Sequence, residues 1–188
     1  RLDLPDEVIA AIDDAICGAI ETEPYHFSSQ SVSNILWAAG NHPEGMPLSE
    51  RLKRDLADMS YSKFSSFTPQ GLSNTAWGFA SVGYNPGPEF LSALRDNIVR
   101  EGHTYIVTEC ANLLWSFQAF KEHPGDECLD VVCRRIAEFS EEDLSVHTIT
   151  NMMYCLAQFE YLPHKDVMDR IEELGVIFLR RSDDDGGA

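Results

Sequence analysis

The chain has 188 residues, 44% of them apolar, with 14 lysines and arginines against 31 aspartates and glutamates, for a formal net charge of -17. An acidic field of that size repels nucleic-acid phosphate and anionic membrane, which excludes generic electrostatic binding to either and favours basic partners. No apolar run approaches the ~20 residues that span a bilayer, and the five cysteines (Cys17, Cys110, Cys128, Cys133, Cys155) form no CxxC pair, so they read as reduced, buried thiols rather than a disulfide or zinc framework.

In chain order, the first predicted element is a leading helix over residues 4–21. Val8, Ile12, Ile16 and Ile20 fall at helical spacing, and Pro5, Asp6 and Glu7 occupy the first turn, where a proline and acids suit a helix N-terminus. Arg1 in place of an initiator methionine reads as a fragment or a processed form, from which any targeting peptide has already gone. Next comes SSQSVSNILWAAG, capped by Ser28 or Ser29, and then LSERLKRDLADM with an apolar stripe of Leu52, Leu56 and Met59.

The second pair starts from Thr68 as N-cap with Pro69 at the first helical position and Gly83 as a stop; its partner helix carries Leu91, Leu94 and Ile98. A third pair runs from Val107 to Phe120 and resumes through Leu129, Val132 and Ile136. A fourth runs from Ser145 to Phe159 and resumes through Val167, Ile171 and Leu174. In each pair the first helix is here termed A and the second B.

One short pattern recurs in every A helix: SNILW, SNTAW, ANLLW and TNMMY. Its asparagines, Asn34, Asn74, Asn112 and Asn151, lie 40, 38 and 39 residues apart, and Trp37, Trp77, Trp115 or Tyr154 follows each by three. Self-similarity at such a period means stacked helical units whose core forms between neighbours. The prediction is therefore all-α, a right-handed-type α-solenoid of paired antiparallel helices in a single domain over 1–188. Its repeats are 26–64, 65–103, 104–143 and 144–181, and an acidic flexible tail occupies 182–188.

Counted from the asparagine, positions -2, +1, +2 and +5 are apolar in nearly every repeat and form the core face. Positions -3, 0, +4 and +7 form the opposite face, which is small or polar and holds the binding candidates: Ser31, Asn34, Asn41, Gly71, Asn74, Ser81, Glu109, Asn112, Ser116, Thr148, Asn151 and Gln158. The aromatic at +3 lies on the flank between the faces, where it can wedge neighbouring repeats. An asparagine present in every repeat cannot distinguish ligand positions, so a structural role competes with a binding one. Position -3 varies (Ser31, Gly71, Glu109, Thr148) and holds the better reader candidates, with close helix packing as the competing reading.

TPQGLSNTAWGFASVGY, followed by a proline break and EFLSALRDNIV, resembles the octotricopeptide repeat, whose pattern is close to PQ-x-L-A/S-N-x-x-W-A. The resemblance covers nearly the whole chain and is loosest in the fourth unit, where Tyr154 replaces tryptophan and SVHTIT replaces the PQ start. It implies a paired-helix superhelix, residence in chloroplast or mitochondrion, and RNA binding through the A helices; some similar proteins are structural subunits of organellar assemblies. No stretch resembles the nuclease-like RAP domain that some relatives carry.

Against RNA stands the charge pattern, because the A segments contain Glu109 and no lysine or arginine. Phosphate affinity normally comes from such bases. No G-x-S-x-G, P-loop or HExxH spacing occurs, and no two histidines share an i, i+4 face, so neither catalysis, a cofactor nor a metal site is expected. The last helix carries VIFL at 176–179 with no further helix to cover it. Two readings follow. The first is a non-catalytic scaffold or adaptor contacting basic protein partners in an organellar assembly; the second is a single-stranded RNA-binding protein of organellar gene expression.

Overall fold

The structure is a computed structural model that describes residues 5–42 and 46–185, with side chains described up to residue 177. Among the described residues there are nine α-helices and no strand, and successive helices pack in sequence order as an α-solenoid. The helices are α1 (Asp6–Thr22), α2 (Ser29–Gly40), α3 (Glu50–Ser62), α4 (Pro69–Ser81), α5 (Pro88–Glu101), α6 (Val107–Phe120), α7 (Asp126–Ala137), α8 (Val146–Gln158) and α9 (Lys165–Asp185). The A helices are α2, α4, α6 and α8. Helix α9 extends to Asp185, so it includes the first part of the predicted tail; residues 186–188 lie outside the described residues.

Local chemistry explains where the A helices begin. The hydroxyls of Ser28, Thr68 and Ser145 each accept the backbone N–H three residues on, from Ser31, Gly71 and Thr148, all at 3.1 Å. Ile106 opens α6 and has no acceptor to offer. There the carboxylate of Glu109 reaches back to accept the Ile106 N–H at 2.9 Å, the other half of a capping box. Short 3-10 turns at Pro24–His26, Phe64–Ser66 and Gly102–Thr104 precede the first three A helices, and nothing in the repeat pattern signals them.

The ends follow a rule of their own. Gly83, Lys121 and Glu160, each nine residues after its repeat asparagine, adopt left-handed φ values of 67°, 58° and 53°. The same bond closes all three turns: Tyr84, Glu122 and Tyr161 donate their N–H to the carbonyls of Phe79, Phe117 and Leu156 at 2.9–3.0 Å. A side chain in this conformation costs about 1 kcal/mol or more relative to glycine. Lys121→Gly is accordingly expected to raise stability by about 1 kcal/mol, seen as a higher urea midpoint at unchanged slope; a lower midpoint would show that the lysine side chain contributes more than its backbone costs.

The chain divides into two compact units, Arg1–Asp96 and Asn97–Ala188, with the boundary inside α5. In the first unit α1 packs on α3, and α2 packs on both α3 and α4. Phe90 of α5 is fully buried, with the rings of Phe64 and Phe79 edge-on at 5.6 and 6.1 Å. In the second unit α6 packs on α7 and α8, and α9 packs on α7 and α8. There the Tyr105 hydroxyl donates to Asn97 at 2.6 Å, Arg135 donates to the Tyr105 carbonyl at 2.9 Å, and its guanidinium stacks over Phe139 at 4.5 Å. All five cysteines are buried. Burial pushes the thiols of Cys110 and Cys133 up to about 12 and that of Cys155 to about 11, so they stay neutral at ordinary pH.

One predicted stripe is rotated. The residues that α1 buries are Ile9, Asp13, Cys17 and Ile20, whereas Val8 and Ile12 are exposed and Ile16 is half-buried. The helix has two apolar faces, and the one on α3 carries the buried set. At the far end Val176 is exposed and Ile177 half-buried, while the side chains of Phe178 and Leu179, predicted to need a cover, lie outside those described.

Candidate binding face of the A helices

On the core side of the wheel Val32, Leu36, Ala39, Leu72, Thr75, Ala76, Phe79, Cys110, Leu113, Leu114, Phe117, Ile149, Met152 and Leu156 are buried, as predicted, whereas Ile35 and Met153 are half-buried. The opposite side is divided. Positions -3 and +4 lie ~40–60° from the asparagine around the helix and are mostly turned from solvent, with Ala38 the exposed exception. In the first unit this is visible atom by atom. A Cβ on Gly78 would stand 2.7 Å from the Leu36 carbonyl carbon and Cβ and 2.8 Å from its oxygen, so α2 and α4 meet backbone to backbone at that glycine. Gly71, Ser116 and Cys155 are likewise buried.

The varying position -3 is the third residue of each A helix, and its chemistry follows the cap. Ser31 and Thr148 are half-buried and bond the Ser28 and Ser145 hydroxyls through their own at 3.0 and 2.9 Å. Glu109 is 8% exposed and holds the Ile106 N–H. The variation of position -3 between repeats therefore tracks the N-cap residue, as the pairs Ser28/Ser31 and Ile106/Glu109 show in the structure.

What faces outward is the asparagine and the aromatic together. Asn34 is exposed and accepts from Gln30 Nε2 at 2.7 Å, while Asn74, Asn112 and Asn151 are half-buried, the last bonded to His147 Nε2 at 3.0 Å. At +3, Trp37 is 51% and Tyr154 56% exposed, and Trp77 and Trp115 are half-buried. Trp77 also does what its flank position predicted, since its Cζ3 stands 2.8 Å from where a Gly40 side chain would begin. At +7, Asn41 is exposed and donates to the Trp37 carbonyl at 2.8 Å, Ser81 is half-buried, and Gln158 is exposed beside a cleft of about 460 Å³ that it shares with Gln118, His123 and Phe159. Sequence reasoning missed that cleft because its walls come from two successive A-helix ends.

The rim so formed is uncharged, because the one ionisable acid of the A helices, Glu109, is buried. Basic side chains on the B helices sit beside carboxylates: Arg51 with Glu21, Lys53 with Glu50, Arg135 with Glu138, Lys165 with Asp169 and Arg170 with Glu173. Among the described residues no group of three or more His, Cys, Asp and Glu could hold a metal ion, and no helix is long and apolar enough to cross a membrane.

No family model matches the chain. A chloroplastic RAP domain-containing protein of rice (Oryza sativa subsp. japonica) is similar to it. The two are 31% identical over 114 residues, which is 60% of this chain and 18% of the rice protein, so the chain matches less than a fifth of that relative's length. The similarity is to an organellar protein by name, and the helical architecture above is what the matched stretch folds into here.

Proposed function

We propose that the chain is a non-catalytic helical-repeat segment of an organellar protein, associating with single-stranded RNA through the asparagine–aromatic rims of its A helices. The observation that carries this reading is the pairing of a half-exposed aromatic with an amide on the solvent side of the helix, as in Trp37 with Asn34 and Tyr154 with Asn151. Aromatic faces hold unpaired bases by stacking, and amides bond base edges, without needing a positive charge at the contact. Two further supports are the resemblance of the motif to octotricopeptide repeats and the similarity to the chloroplastic rice protein. The test is fluorescence anisotropy with single-stranded RNA pools. Because the rim lacks cations and the chain as a whole repels phosphate, binding is expected to hold or tighten slightly as salt rises, unlike the steep fall of a phosphate-driven complex. Trp37→Ala and Tyr154→Ala should each reduce affinity by about tenfold, since stacking contributes ~1–3 kcal/mol per base; no saturable RNA binding at any salt concentration would remove this reading.

The second reading is a scaffold for a basic protein partner in an organellar assembly, favoured by one observation, the net charge of -17. Association with such a partner would slow and weaken as salt rises, opposite to the profile expected for the RNA rim.

A further inference from the structure

The repeat asparagine does not stand alone on the rim. Four residues before it, on the same side of the helix and one turn nearer the N-terminus, come Gln30, Gln70, Thr108 and His147. The asparagine is the same in every repeat, whereas this neighbour is an amide, a hydroxyl or an imidazole.

In two repeats the neighbour holds the asparagine side chain, and it does so in opposite senses. Gln30 Nε2 donates to Asn34 Oδ1 at 2.7 Å, so the oxygen of Asn34 is engaged and its amino group is left for a ligand. In the fourth repeat Asn151 Nδ2 donates to His147 Nε2 at 3.0 Å. An amide nitrogen can only donate, so that ring nitrogen accepts and the imidazole proton resides on Nδ1. Here the amino group is engaged, and the oxygen of Asn151 is the acceptor left open.

We propose that the residue four before the asparagine sets which bases its repeat accepts. Gln30 makes the first repeat select bases that present a carbonyl, uracil and guanine; His147 makes the fourth select bases that present an amino group, cytosine and adenine. The base edges supply the complement, since uracil O4 and guanine O6 accept where cytosine N4 and adenine N6 donate. Stacking on Trp37 or Tyr154 holds a base whatever its identity, and the amide beside the ring then meets its edge. An amino group set against an amino group, or an oxygen against a carbonyl, leaves both unpaired, which is how a polar site rejects the wrong partner. Gln30 and His147 are positioning residues: they touch the asparagine, and the asparagine touches the base. The inference rests on the RNA reading above and adds to it a way for one repeated asparagine to distinguish ligand positions.

Selection from a randomised single-stranded RNA pool, followed by sequencing, tests it. The parent should enrich one position for uracil and guanine and another for cytosine and adenine, with oligonucleotides that differ there alone separated about tenfold in affinity. Both positioning residues are exposed, so either can be exchanged without disturbing the core. Gln30→Glu sets an acceptor-only group beside Asn34, whose amino group then turns inward, and the first preference should change to amino bases. His147→Lys sets a donor-only group beside Asn151, and the second should change to carbonyl bases. Each comparison is between RNAs of equal charge, so the charge that a variant introduces cancels. A readout without RNA checks the geometry: nitrogen NMR, with the signal assigned by its loss in His147→Lys, should show the His147 ring protonated at Nδ1. A proton on Nε2 instead overturns the inference whatever the RNA does. So does saturable binding whose base preferences ignore both variants, an outcome that leaves RNA association standing. No saturable binding at any salt concentration removes both.

Discussion

Gly78→Ala is expected to cost about 2 kcal/mol, and Gly78→Leu more than 3, although glycine is among the poorest helix formers and α4 is otherwise improved by the change. The two effects oppose each other. Filling a helix-interior glycine gains ~1 kcal/mol of propensity, whereas forcing atoms into a closed contact costs ~1–3 kcal/mol. At Gly78 the steric effect wins because the atoms in the way are the Leu36 carbonyl carbon and oxygen as well as its Cβ, at 2.7–2.8 Å, and backbone cannot rotate aside. Two controls separate the contributions. At Gly40 the new Cβ would meet the Trp77 Cζ3 at 2.8 Å, the far end of a side chain that can tilt, and the Ser81 Cβ at 2.9 Å, which moves only with its backbone, so Gly40→Ala should cost about 1 kcal/mol, less than Gly78→Ala. At Gly18 nothing stands within 4 Å, and Gly18→Ala should stabilise by ~0.5–1 kcal/mol. Urea titrations followed by circular dichroism would order the three as gain, small loss and large loss; equal midpoints for Gly78→Ala and the parent would mean that α2 and α4 are not in backbone contact.

That contact shows what a repeat sequence discloses and what it conceals. The asparagine period, the Ser and Thr caps and Pro69 located every A helix to within about two residues, because caps and breakers act locally. The core positions were equally plain, since 3.6-residue periodicity needs only one neighbour to bury against. Positions -3 and +4 were different. They are small or polar, which suits an outward binding face and a tight interhelical flank equally well, and only the neighbouring helix decides. The choice went to packing for Gly71, Gly78 and Ser116, while Asn34 and Trp37 stayed outside. Helix ends at Lys121 and Glu160 were hidden for another reason: tertiary closure holds residues there that their own propensity would not place in the left-handed region, and Gly83 was the one signal of it in the sequence.

The uncharged rim and the acidic remainder can belong to one molecule without conflict. Bases on the B helices lie against neighbouring carboxylates, which leaves a surface that repels phosphate while the rim offers amides and rings. Any polyanion held there is held by stacking and hydrogen bonds against a repulsive field, so affinity is low for each contact and selectivity for unpaired bases is high.

Asp13→Ala is the second substitution expected to have a large effect, about 3 kcal/mol, although a helical wheel of α1 assigns Asp13 to the solvent side. The carboxylate is 6% exposed and ties two helices together: it accepts the Ser49 backbone N–H at 2.8 Å and the Ser49 hydroxyl at 2.6 Å, while the Cys17 thiol approaches at 3.9 Å. Ser49 is the N-cap of α3 and in turn accepts the Leu52 N–H at 3.1 Å. A negative charge thus sits at the positive end of α3 and fixes the hydroxyl that caps it. Hydrogen bonds to a charged group contribute ~1.5–3 kcal/mol each, and losing Asp13 takes from the Ser49 N–H its partly buried acceptor. Asp13→Asn should cost roughly half as much, because the amide keeps an acceptor but turns a donor toward one of the two Ser49 donors. Ser49→Ala alone removes the cap and one bond, for about 1–2 kcal/mol. If the two residues act as a unit, the double variant Asp13→Ala with Ser49→Ala will be about 1 kcal/mol or more less damaged than the sum of the singles. Additive losses would instead mean that the α1–α3 junction is held by Ile9, Cys17 and Ile20 alone, with the carboxylate contributing independently of the cap.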